Sequence, residues 1–152
     1  MEAARLIEAT RHALAQARTV QDIVVEAWQA QALAEAVGSH LAVQGPFEAR
    51  AAARGLSEAG CRASGGLCRT ASRAGGLRAA QLTEVRDAWT VLTRLAELLG
   101  EVGIALVGVA CACEEDAVYW QCIEGIDAAD ETTDRIGGLL RRLALRERGG
   151  AA

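Results

Sequence analysis

The side chains best equipped for chemistry in this 152-residue chain are two histidines, five cysteines and a set of clustered arginines. Arg5 and His12, with six residues between them, could act together on a phosphodiester, but with sixteen arginines such a spacing is commonplace. Glu8 and His12 stand at i, i+4 and would share one helix face. A di-iron carboxylate centre needs Glu-x-x-His on two helices with further Glu, and Glu8-x-x-Arg11 and Glu35-x-x-Gly38 do not supply it. Glu124, Asp127, Glu131 and Asp134 form a carboxylate stripe whose oxygens would suit a hard cation. A solvated helix face gives the same pattern. Zinc sites favour two to four residues between paired ligands. Cys61 and Cys68 have six between them, and Cys111 and Cys113 have one. Cys111, Cys113 and Cys122 therefore read as small core residues. No catalytic residue, metal site or cofactor is expected.

Binding groups stand out more clearly than catalytic ones. Arg62, Arg69, Arg73 and Arg78, with Arg50 and Arg54 before them, carry six positive charges against Glu48 and Glu58 alone. Such a segment could close over an anionic ligand or a nucleotide. No aromatic residue interleaves to stack bases, and the net charge of −4 argues against a nucleic-acid partner. Trp28, Trp89 and Trp120 are the large anchors in a chain only 3% aromatic. Trp89 reads as core. Trp28 and Trp120 could face a partner, since Trp is enriched at binding hot spots. The candidate binding residues are Arg62, Arg69, Arg73, Arg78, Trp28 and Trp120.

These groups must be positioned by helices. Leu6, Ala9, Ala13, Gln16, Val20, Ile23, Ala27, Ala30, Ala34, Val37 and Leu41 keep an unbroken 3-4 spacing, which predicts one helix over residues 2–43. Thr19 with Asp22 resembles a capping box and marks a possible break. Gly45-Pro46 opens a short helix to about Ala59. Residues 60–79 hold Gly, Ser and Arg without periodicity and read as a mobile loop. A second seam runs Leu82, Val85, Trp89, Leu92, Ala96, Leu99, Gly103, Leu106, Ala110, Cys113, with Thr83 as a possible cap. A third runs Tyr119, Cys122, Ile126, Ala129, Thr133, Ile136, Leu140, Leu143, out of phase with the second by one residue. A turn near Cys113–Asp116 follows from that. The expected fold is all-α: an antiparallel bundle of three long helices and one short one, a single domain over 1–148 with a frayed tail at 149–152.

Composition supports the same class. The apolar fraction is 51%, supplied mostly by Ala, Leu, Val and Ile, and Ala is the strongest helix former. There is no Lys and no Asn, which suggests a high-GC bacterial genome. No basic stretch followed by an apolar run opens the chain. The charge-free run Val102–Cys113 is shorter than the ~20 residues of a spanning helix, so it reads as buried. Five cysteines without a secretion signal suggest reduced thiols in a cytoplasm.

Two stretches carry a resemblance: Glu26-Ala27-Trp28-Gln29-Ala30-Gln31-Ala32-Leu33-Ala34, and Glu101 to Ala112 continuing through Tyr119-Trp120-Gln121-Cys122-Ile123-Glu124 to Ile126–Glu131. Together they resemble an uncharacterised helical family of high-GC actinobacteria. The resemblance covers most of the chain and implies an all-helical cytoplasmic protein without assigned activity. The function expected is non-enzymatic: binding a protein, including a second copy of the chain. A regulator that binds a small anionic ligand through the Arg-rich segment is the alternative, and a helical-bundle enzyme the weakest reading.

Overall fold

A computed structural model describes residues 1–71 and 76–150, with side chains over 1–65 and 76–149. The fold is all-α. Five helices run α1 Ala3–Gln16, α2 Val20–Gln44, α3 Arg50–Ala71, α4 Ala88–Ala112 and α5 Asp116–Gly150. Short 3-10 turns at Phe47–Ala49 and Arg78–Gln81 join them. Among the described residues there is no strand, only a single bridge between Glu2 and Glu84.

The expected helix over 2–43 is two helices. Ala17 turns to extended backbone after Gln16, and Thr19 caps α2 by accepting the Asp22 N–H at 3.1 Å. The capping pair thus overrides the continuous apolar phase. The break also rotates the buried face. In α1 the core takes Ala3, Leu6, Ile7, Thr10 and Leu14, while the seam residue Ala9 is exposed. In α2 the seam holds, and every residue from Val24 to Ala34 except Trp28 is buried. A helix apolar nearly all round belongs at the centre of a bundle, and α2 touches all four other helices.

The third helix overturns a larger expectation. It begins at Arg50 and runs through Ala71, well past Ala59 and into the segment expected to be loop over 60–79. Residues 72–75 lie outside the described residues. Ala53, Leu56, Ala59, Gly60 and Ser64 are buried and keep the helical period. A Cβ at Gly60 would stand 2.6 Å from the Glu35 nitrogen, and one at Gly38 would stand 2.6 Å from the Ser57 nitrogen. Such distances exclude a side chain, so α2 and α3 meet backbone to backbone. Tertiary packing here outweighs the poor helix propensity of Gly.

From Gly76 onward the chain is pinned to the core. The Arg78 guanidinium makes two bonds to the Glu26 carboxylate, at 2.5 and 2.9 Å. The Arg78 amide donates to Gln29 Oε1 at 2.9 Å, and Gln29 Nε2 donates to the Gly76 carbonyl at 3.1 Å. Thr83 N–H reaches the Met1 carbonyl, and Ala3 N–H the Glu84 carbonyl, each at 3.0 Å. The fourth helix then starts at Ala88 rather than near Thr83. Its cap is Asp87, which accepts the Thr90 N–H at 3.2 Å and the Thr90 hydroxyl at 2.7 Å. Both bonds favour the ionised carboxylate and hold the Asp87 pKa below its ordinary value.

The turn at Cys113–Glu115 falls where the phase slip placed it. Glu114, Glu115 and Asp116 stand at the start of α5, where the helix dipole favours acid. The fifth helix continues to Gly150, past the Gly149 at which the tail was expected to begin, and 151–152 lie outside the described residues. Cys122, Ala129 and Ile136 are buried as the third seam expects, but Thr132 and Leu139 take the fully buried places in preference to the seam residues Thr133 and Leu140. Thr132, fully buried, donates to Gln31 Oε1 of α2 at 2.8 Å.

Candidate functional site

The outer face of α4 leaves large apolar side chains in solvent. The core side of α4 is Val91, Leu92, Leu95, Leu98, Leu99, Val102, Leu106 and Val109. Ile104 points the other way and is 75% exposed; Val107 is 47% exposed. At helical spacing, Gly100, Ile104, Val107, Gly108 and Cys111 share one exposed side, and none carries charge. A Cβ at Gly100, Gly103 or Gly108 would meet nothing within 4 Å. The expectation that Val102–Cys113 is simply buried therefore fails on this side. Among the described residues, α4 alone is long and apolar enough to cross a membrane, and only 33% of its most apolar stretch is buried. The core helix of a soluble protein passes the same test of length and composition.

A groove between α1 and α4 borders this face. The groove, about 520 Å³, is lined by Glu8, Arg11, His12, Leu14, Ala15, Glu101, Ile104 and Ala105. Arg11 donates to both Glu101 oxygens, at 2.7 and 3.2 Å, with Glu8 and Glu97 each at 4.0 Å. The Glu101 hydrogen bonds, then its charge, raise the Arg11 pKa. Three carboxylates against one guanidinium make this groove acidic, unsuited to an anion. A separate apolar pocket of about 360 Å³, between the α1–α2 turn, the start of α2 and α4, shares Ala105 and is lined also by Arg18, Ile23, Gly108, Val109 and Ala112. His12 lies in the groove beside Glu8 as their spacing allows, but Arg5 does not line it.

The six candidate binding residues are not brought together. Arg78 is consumed by Glu26; that hydrogen bond raises its pKa. Arg62 pairs with Glu131 at 2.6 Å. Arg69 lies on α3 with its side chain outside the described residues, and Arg73 lies outside them altogether. Trp28 packs against the core edge. Trp120 is 61% exposed and meets Tyr119 edge to face, ring centroids 5.3 Å apart.

Other placements also differ from expectation. Trp89, expected in the core, is 47% exposed because α4 begins only one residue before it. Of the three cysteines read as core, only Cys122 is buried, and burial raises its thiol pKa. Cys111 is exposed and Cys113 half-buried. The carboxylate stripe of α5 is exposed, with Glu131 given to Arg62. Among the described residues, no group of three His, Cys, Asp or Glu could hold a metal ion. The signal that sequence reasoning missed was Ile104 and Val107, large apolar residues off the second seam.

Residues 1–142 match a family of unknown function, DUF6099. The chain belongs to that family. This agrees with the resemblance to an uncharacterised family, and the match spans α1 to α4 and most of α5, the exposed α4 face included. No curated protein and no solved structure matches the chain.

Proposed function

We propose that this DUF6099 protein is a non-enzymatic interaction module, an antiparallel helical bundle that receives a protein partner on the outer face of α4. One observation carries the reading: a charge-free exposed strip with Ile104 and Val107 at its centre. Exposed apolar patches on small proteins mark interaction sites. Register supports the antiparallel arrangement, since Gly38 faces Ala53 and Ser57 while Gly60 faces Gln31 and Glu35. The anionic-ligand alternative loses Arg62 and Arg78 to internal ion pairs. Exposed free Cys61 and Cys111 suit a reducing cytoplasm, and the lack of Lys and Asn suits a high-GC bacterial source.

The test is a photo-crosslinking residue at Val107, with one at exposed Arg54 of α3 as control. A covalent adduct to a polypeptide from Val107 and not from Arg54 is the expected result. Equal adducts from both positions, or none from Val107, would refute the reading.

A further inference from the structure

We infer that the occupant of the α4 face is a second copy of this chain, in a two-fold pairing of α4 against α4 centred on Ile104. The inference rests on the interaction reading above and names its partner. A two-fold axis across antiparallel helices sets residues equally far before and after the centre opposite each other. Gly100 then faces Gly108 of the second copy, and Ile104 faces Ile104. Both glycines meet nothing within 4 Å in the single chain, so the helix axes can approach closely there. The aliphatic side chains of Ile104 and Val107 leave water at the middle of the contact.

Charge fixes the same register. Arg18, in the turn between α1 and α2, lines the apolar pocket with Gly108 and Ala112 of α4. It makes no hydrogen bond or ion pair among the described residues. The two-fold carries the level of residues 108–112 onto that of residues 96–100, on the same α1 side of the contact. Glu97 stands there, exposed, its carboxylate 4.0 Å from Arg11. Each Arg18 therefore meets Glu97 of the other copy, twice per dimer. A parallel pairing would instead set Glu97 against Glu97, which like charge disfavours. A bilayer on this face would draw Glu97 and the Arg11–Glu101 pair toward hydrocarbon, where ionised groups are expensive.

The experiment is sedimentation velocity of the full chain from micromolar to millimolar concentration, with far-UV circular dichroism on each variant to verify folding. The wild type forms a dimer. Ile104→Arg weakens it by about tenfold or more, as expected of a residue central to an interface. Glu97→Arg weakens it as well, and Glu97→Arg combined with Arg18→Glu restores it. A dimer that survives Ile104→Arg overturns the pairing, as does a dimer indifferent to the charge reversal. A wild type monomeric throughout overturns it too. In that case a Val107 adduct to a different polypeptide leaves the interaction reading standing. Absence of any adduct removes both. Co-sedimentation of the wild-type monomer with anionic phospholipid vesicles, lost in Ile104→Arg, replaces the second copy with a membrane surface.

Discussion

Glycine serves opposite ends in two regions of this molecule. Between α2 and α3, Gly38 and Gly60 let two backbones touch; a Cβ at either would stand within 3 Å of a neighbouring backbone nitrogen and oxygen. On α4, Gly100, Gly103 and Gly108 border open space. The first pair is explained within one chain. The second set is not: each glycine weakens a helix by about 1 kcal/mol relative to Ala, with no internal contact in return. Small residues therefore mark closeness achieved in one region and, on the proposed pairing, closeness supplied by a second copy in the other.

Substitution separates the two regions. The largest effect is expected from Gly38→Leu, which must force α2 from α3. Overpacking of a rigid site costs about 3 kcal/mol or more when backbone has to move, and urea unfolding would read the loss. Next comes Arg78→Ala, which leaves Glu26 buried without its cation. Breaking such a pair costs about 3 kcal/mol, whereas the double replacement Arg78→Met with Glu26→Leu recovers most of it. Equal destabilisation by single and double variants would contradict the clasp. On α4 the sign reverses. Gly100→Ala and Gly108→Ala each stabilise the single chain by about 0.5–1 kcal/mol, seen as a higher Tm in dilute solution, while weakening association at high concentration. A fall in Tm would show that these glycines serve the fold.

The smallest effect concerns the start of α4. The lowered Asp87 pKa means that its contribution is complete above the carboxylate's unfolded value. It is lost as pH falls through the lower folded value. Asp87→Asn should flatten that acid limb of the Tm–pH curve. A mutant curve parallel to wild type would exclude the cap from the acid response.

Much of the fold was legible because helical period survives in short apolar residues. Most of the third seam, the Leu92, Leu99 and Leu106 positions of the second, the phase slip at Cys113–Asp116 and the Thr19–Asp22 cap are local features. The rest of the second seam misplaced the core side of α4, which runs through Val91, Leu95, Leu98, Val102 and Val109, while Leu82 and Val85 precede the helix. What failed was long-range. Gly60 and Ser64 looked like loop residues, yet both are buried; Gly60 lies directly against α2, and nothing local announces α2. Arg78 looked available for a ligand, but its partner Glu26 is 52 residues away. Ile104 looked like core within an apolar run, and its exposure depends on α1, α2 and α5 covering only the other sides of α4.

In the proposed pairing Ile104 belongs to an interface and not to the fold. Thermal melting of Ile104→Arg in dilute solution, beside its sedimentation at high concentration, tests it most directly. A Tm close to wild type together with loss of the dimer is expected. A lowered Tm with assembly unchanged would show that Ile104 stabilises the single chain and would overturn the pairing.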